Sequence, residues 1–183
     1  MTEEQQQKLS ELAANTIASE LGLEKSSFNE DDFQEPDYLE ERGVFVTLEI
    51  NSQLRGCIGN IEPVYPLYEA VMRNANEAAF GDPRFSPLSE DEFQDVDIEI
   101  SVLTVPKKLE FDSSEDLLSK LRPGTDGVVL QLGMNKATYL PQVWDDIDDP
   151  EKFLSSLSMK AGLEPDGWKD PKCEIYTYEV EKF

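Results

Sequence analysis

Apolar residues recur every three to four positions near the start of the chain, at Leu9, Leu12, Ala13, Ile17 and Leu21. This spacing predicts an amphipathic helix over residues 5–21, with Gly22 at its C-terminal cap. The following stretch, KSSFNEDDFQEPDYLEERG, has no period, many acids and a proline, and reads as a solvated connector up to Gly43. The period then changes to two. Val44, Val46, Leu48 and Ile50 alternate with Phe45, Thr47 and Glu49; Asn51, Ser52 and Gln53 form a turn, and a second strand runs from Leu54 to Ile58, which together predict a β-hairpin.

Pro66 opens a helix whose apolar side is Leu67, Val71, Ala75 and Ala78, ending near Gly81 with Pro83 just beyond. Ser89 and Glu92 have the spacing of a capping box, and Val96, Ile98, Ile100 and Val102 then mark a half-buried strand. A short helix over 113–121, a hairpin formed by GVVLQLG and KATYLP, a helix from Asp149 to Gly162 and a final alternating run, CEIYTYEVEKF, complete the chain. Strands joined by hairpins, without a repeated β-α-β rhythm, predict an α+β fold. The expectation is a single compact domain over residues 1–183, a mostly antiparallel sheet flanked by helices, with room for a small lobe at about 106–140.

The charge adds a surface property. The 39 acidic and 16 basic side chains give a net charge of −23. Two readings stay open: adaptation to concentrated salt, which screens self-repulsion, or an acidic face for a basic partner. The acids run along the whole chain rather than in one tail, which favours the first. Nucleic acid is disfavoured, because phosphate binding draws on clusters of Lys and Arg. The polar, acidic N-terminus MTEEQQQKLSEL has no apolar leader and no apolar run approaches membrane-spanning length, so a cytoplasmic protein away from the membrane is expected.

The candidate chemistry lies in QLRGCIGN. Strand alternation puts Arg55, Cys57 and Gly59 on one face, with Arg55 and Cys57 about 6.6 Å apart along the strand. Gly56 and Gly59 point to close approach of another backbone, a bulge or a ligand. Cys57 is then either a small buried hydrophobe or a thiol activated by Arg55. The chain has no histidine, so a base for Cys57 would be a carboxylate, a lysine or the substrate. Two cysteines and no histidine fit none of the usual zinc sets, and the acids lack EF-hand spacing, so no metal is assigned.

LRGCIG, AAFGDPRFSPL, EISVLTVP, YLPQVW and FLSSLSMKAGL, in that order, resemble the AMMECR domain family from about residue 8 to the C-terminus. The resemblance implies a compact α+β domain with no assigned activity and names no cofactor. It also implies two partners, because such domains are often encoded beside or fused to a Memo-like protein and a radical-SAM protein. The positions it carries over are Leu54 to Gly59, Asp82, Arg84, Phe85, Pro87, Glu99, Ser101, Pro141 and Gln142. Of these, Asp82 and Arg84 flank a helix end, where they pair with Arg55 or meet a ligand. Glu99 and Ser101 share one strand face, either solvated or lining the same cleft, and Gln142 follows a proline at a strand end.

Two functions follow. One is a binding or accessory module that uses a groove around LRGCIG, with Arg55, Gly56, Gly59, Asp82, Arg84, Glu99, Ser101 and Gln142 as ligand-binding residues. The other is an enzyme acting on a small anionic or nucleotide-like substrate, with Cys57 as nucleophile or redox centre and Arg55 beside it. The module is favoured, because a single cysteine without histidine is weak catalytic equipment.

Overall fold

The structure, a computed structural model of the chain, describes residues 1–23 and 28–183. The chain divides into two compact units, Met1–Leu103 with Glu181–Phe183, and Thr104–Val180. The segment 106–140 lies in the second unit, which extends well beyond it.

The first helix, α1 (Glu3–Glu20), starts two residues earlier than its apolar period, because Thr2 and Gln5 form a capping box that satisfies exposed amides of the first turn. It buries Leu9, Leu12, Ala13 and Ile17. The connector differs from expectation. Residues 24–27 fall outside the described residues, but beyond them come a 3₁₀ turn (Glu30–Phe33) and the short α2 (Pro36–Leu39). Phe33 and Tyr38 are each only 1% exposed, so this acidic stretch is not simply solvated. Its carboxylates also hold it to α1, where the buried Gln5 amide donates to Glu35 and Asp37 at 2.7 and 3.0 Å.

The hairpin forms as its period predicts, from β1 (Val44–Ile50) and β2 (Gln53–Asn60). The turn is two residues long; Asn51 and Ser52 both have positive φ (52° and 59°), the backbone twist that matches an antiparallel pair. Then come α3 (Leu67–Phe80), the one-turn α4 (Glu90–Phe93) and β3 (Val96–Leu103), which pairs antiparallel with β1. Val44, Val46, Leu48 and Ile100 face the buried sides of α1 and α3. Ala70, Ala75, Ala78 and Ala79 keep α3 thin, so that it lies close to the sheet.

The second unit begins with β4 (Lys107–Lys108) and α5 (Ser114–Lys120), followed by the hairpin β5 (Gly127–Leu132) and β6 (Asn135–Tyr139). After α6 (Pro150–Lys160), capped by the Asp149 carboxylate, comes β7 (Glu174–Tyr178). The sheet order is β4-β7-β5-β6, and its core includes Trp144 stacked on Phe153 with centroids 3.7 Å apart.

The C-terminal run, one strand by its period, divides at Glu179. Its last part, β8 (Val180–Lys182), joins the first sheet in the order β2-β1-β3-β8, and Ile100 and Phe183 exchange backbone hydrogen bonds of 2.8 and 3.1 Å. The fold is therefore α+β, with its antiparallel strands shared between two four-stranded sheets. Among the described residues, no helix is long and apolar enough to cross a membrane.

The units differ in charge. The first carries 24 Asp and Glu against seven Lys and Arg, a net of −17, and the second 15 against nine, a net of −6. The net negative charge is thus concentrated in the first unit, chiefly because that unit holds few Lys and Arg for its size; the acids themselves are nearly as dense in the second and form no tail.

Candidate functional site

β2 is the edge strand of the first sheet, and LRGCIG lies along it. The register shifts once: Leu48 faces Gly56, yet Glu49 faces Leu54, leaving Arg55 as an extra residue without a partner on β1. This bulge interrupts the alternation by which Arg55 and Cys57 were expected to share a face. Their side chains go to different partners. Arg55 is 13% exposed and makes a two-pronged ion pair with Glu92, Nε to Oε1 at 2.9 Å and Nη2 to Oε2 at 3.1 Å. Glu92 also accepts from the Ser89 backbone and hydroxyl at the start of α4, both at 2.9 Å. Arg55, followed by the two Ser89 bonds, holds the Glu92 carboxyl down at about 2.

Gly56 faces the helices. A Cβ there would lie 2.1 Å from the Ala78 carbonyl oxygen, so the glycine is what allows the backbone of α3 to approach β2. At Gly59 a Cβ would meet the Phe45 ring and the Val44 carbonyl oxygen, both at 2.4 Å.

The GDPRF segment ends α3 and turns back onto the same edge. Asp82 accepts from the Arg84 amide at 3.0 Å, a local turn bond typical of Asp before proline. Asp82 Oδ2 also accepts from the Cys57 amide at 2.9 Å, while Arg84 Nη2 donates to the Cys57 carbonyl at 3.1 Å. The two side chains thus stand in for a neighbouring strand at Cys57, satisfying both of its backbone groups and closing that step of the edge. Asp82, its side chain 2% exposed, takes two further bonds from the Arg84 guanidinium at 2.9 and 2.6 Å. These bonds first, and the Cys57 amide next, hold the Asp82 carboxyl well below the usual range, and the same pairing raises Arg84. The Phe85 ring lies between the two arginines, 5.9 Å from the Arg55 guanidinium and 5.5 Å from that of Arg84. The guanidinium brought to Cys57 is therefore that of Arg84, not Arg55.

The Cys57 thiol is half-buried, and its sulfur accepts a 3.3 Å hydrogen bond from Thr47 Oγ1. Cys173 contrasts with it: burial pushes its thiol up to about 11, and it is a core residue. Thr47 faces Cys57 on one side and Glu99 on the other, so Glu99 lies two strands from the thiol, about 10 Å away, in the same cross-strand row. It is half-exposed and paired with Lys182 at 2.9 Å. Ser101 is buried in the next row, where Phe45 separates it from Gly59. Gln142 is an exposed residue in a 3₁₀ turn (Pro141–Asp145) of the second unit.

Three residues that shape this region escaped the sequence reading. Glu92 was visible only as a cap, and Thr47 only as one position in an alternation. Asn74 had a readable signal: it is polar but shares the α3 face with Val71 and Ala78. Buried there, its amide donates to the Val44 carbonyl and to Asn60 Oδ1, each at 2.9 Å, tying α3 to both strands of the hairpin. Among the described residues, no group of three or more Cys, Asp or Glu side chains is arranged to hold a metal ion.

Known proteins agree with this architecture. The AMMECR1 family profile matches residues 10–183. A protein of Methanothermobacter thermautotrophicus is 46% identical over 147 residues, spanning 80% of this chain and 77% of its own. Protein MK0488 of Methanopyrus kandleri is 46% identical over 152 residues, covering 79% of this chain and 72% of its own. The crystal structure of the uncharacterised protein PH0010 from Pyrococcus horikoshii superposes with a TM-score of 0.76 at 36% identity, covering 96% of this chain and 88% of that one. With its motifs in order, a profile match over nearly its whole length and a shared fold, the chain belongs to the AMMECR1 family.

Proposed function

We propose that this protein is a cytoplasmic binding or accessory module in a modification pathway that also uses a Memo-like protein and a radical-SAM protein, and that it recognises its partner through the β2 edge around LRGCIG. The observation that carries this reading is that the polar side chains around Cys57 are committed to one another. Asp82 is engaged by Arg84 and the Cys57 amide, and Glu92 by Arg55 and Ser89. Such an arrangement supports a rigid, preformed surface rather than a general base poised at a thiol. On that surface Leu54 is 44% exposed, an apolar contact at the start of the motif.

The enzymatic reading keeps one specific observation in its favour. Cys57 is half-buried with a hydroxyl donor on its sulfur, whereas Cys173 is enclosed. Against an anionic substrate, both arginines already hold carboxylates. Co-purification of this protein with the Memo-like and radical-SAM proteins separates the two. Leu54→Lys should leave the melting temperature unchanged and weaken association about tenfold or more. Cys57→Ser should be within about 0.5 kcal/mol of wild type in stability, since Thr47 can donate to the new hydroxyl, and should retain association. Retained association with complete loss of a product formed by the reconstituted set would overturn the module in favour of a Cys57 enzyme. Normal association of Leu54→Lys would remove the β2 edge from recognition.

The acidic surface supports a second proposal, adaptation to concentrated salt. Raising KCl from about 0.1 M to 1 M shortens the Debye length from about 10 Å to 3 Å and screens self-repulsion in a chain of net charge −23. The melting temperature of the isolated protein should therefore climb through a KCl series. A flat series would assign the acids to a docking face for a basic partner.

A further inference from the structure

We propose that the first unit carries another docking site, in the cleft between α1, residues 28–33 and α3, and that its occupant is a peptide segment presenting one apolar side chain flanked by lysine or arginine. The cleft measures about 370 Å³. That is the small end of the range for ligand clefts, about 300–1,000 Å³, and suits a single anchor side chain better than a whole cofactor. Leu12, Phe33 and Tyr68 line it, the two rings parallel within 7° and 5.4 Å apart, and Met72 forms an exposed wall. Tyr65, 36% exposed, lies beside it with the Arg73 guanidinium 4.4 Å over its ring, and Val64 next to it is 52% exposed. Two of the five large exposed apolar residues described in this unit, Tyr65 and Met72, thus lie at or beside one cleft, and Val64 precedes Tyr65 in the chain, on a surface otherwise dominated by carboxylates. Concentrated exposed apolar area of this kind marks an interaction site.

Charge selects the flanks of the occupant. Arg73 lines the cleft, but Glu69 accepts from its Nε and Nη2 at 2.9 and 2.7 Å and cancels its charge. Lys8 is not among the residues that line the cleft; its ammonium donates to the Asp32 carbonyl and lies over the Phe33 and Tyr38 rings, 4.8 and 5.2 Å from their centroids. Arg42, Arg55, Arg84 and Lys182, the remaining described cations of the unit, hold Glu40, Glu92, Asp82 and Glu99. With every described cation engaged and a net charge of −17, the unit attracts cations and repels acids, and Glu11, Asp31 and Glu69 belong to the segments that line the cleft. An apolar anchor with basic neighbours satisfies both features.

The test is NMR titration of the full chain with three capped tripeptides, Ac-Lys-Leu-Lys-NH₂, Ac-Lys-Ala-Lys-NH₂ and Ac-Glu-Leu-Glu-NH₂, at about 0.15 M KCl. The expected result is a saturable shift of the Met72 methyl and of Phe33 and Tyr68 signals with the first peptide, about tenfold tighter than with either of the others. Met72→Gln should lower that affinity about tenfold with an unchanged melting temperature. Equal binding of the alanine peptide, with shifts spread over the acidic surface, reduces the effect to bulk charge and overturns the proposal. Equal binding of the acidic peptide, or no saturable shift at Met72, overturns it as well, whereas tighter binding of free indole than of any peptide would make the cleft a small-molecule site. None of these outcomes depends on how Leu54→Lys behaves.

Discussion

Gly56→Val should lower stability by about 3 kcal/mol, the upper end of the usual penalty for overpacking. For a chain of this length that corresponds to a fall in melting temperature of about 6–12 °C. The obstacle is backbone: the new Cβ would stand 2.1 Å from the Ala78 carbonyl oxygen, and no rotamer change can relieve that contact. Relief requires α3 to move off β2, which would disturb the Asn74 bonds to Val44 and Asn60 and draw the GDPRF segment away from Cys57. The same substitution should therefore speed alkylation of Cys57 in the native protein. Gly124→Ala is the control, since nothing lies within 4 Å of a Cβ there; with φ at 77°, its cost is the left-handed backbone alone, about 1–2 kcal/mol. Thermal unfolding and thiol labelling of the two variants check the prediction. An unchanged melting temperature for Gly56→Val would show that close helix packing is not why glycine stands in LRGCIG.

Asp82→Asn should have an effect of the same order at pH 7, because one buried carboxylate serves the Arg84 guanidinium and the Cys57 amide together. An asparagine offers a single acceptor oxygen and turns an N–H₂ group toward one of these donors, leaving a buried donor unsatisfied. The pH dependence identifies the cause. Asp82 is depressed in the folded state, so its stabilisation is fully present above the unfolded carboxylate pKa, about 3.9, and is lost as pH falls through the lower folded value. The wild-type and Asp82→Asn stability curves should therefore run parallel from pH 7 to about 5 and converge below about 4. Curves that stay parallel down to pH 2 would mean that the charge of Asp82 does not hold the edge, and that the variant loses only shape. Urea unfolding midpoints across that pH range provide the measurement.

Much of this fold was legible along the chain because the signals are local. The period of two at Val44–Ile50 specifies a hairpin from neighbouring residues alone, although its turn is two residues rather than three, with Gln53 already in β2, and the capping box at Ser89–Glu92 closes within one helical turn; the one at Thr2–Gln5, which starts α1 two residues early, lies outside the apolar period. The α+β class and the family motifs follow from the same kind of information. Three features were settled instead by partners distant in sequence. The bulge at Arg55 exists only relative to the register of β1, and it sent the guanidinium to Glu92, 37 residues away, instead of to Cys57. Phe33 and Tyr38 looked solvated because their neighbours are acids, yet burying two aromatic rings against the core outweighs the polarity of a connector whose carboxylates stay at the surface or bond the Gln5 amide. The final strand changes sheets at Glu179 although its alternation does not change, because period reports which face is buried and carries no information about which strand supplies the hydrogen bonds. The composition of the β2 edge was therefore determined by the sequence itself. The assignment of Arg84 rather than Arg55 to Cys57 was decided only when α3, held close by Gly56, delivered Asp82 and Arg84 to the backbone of that edge.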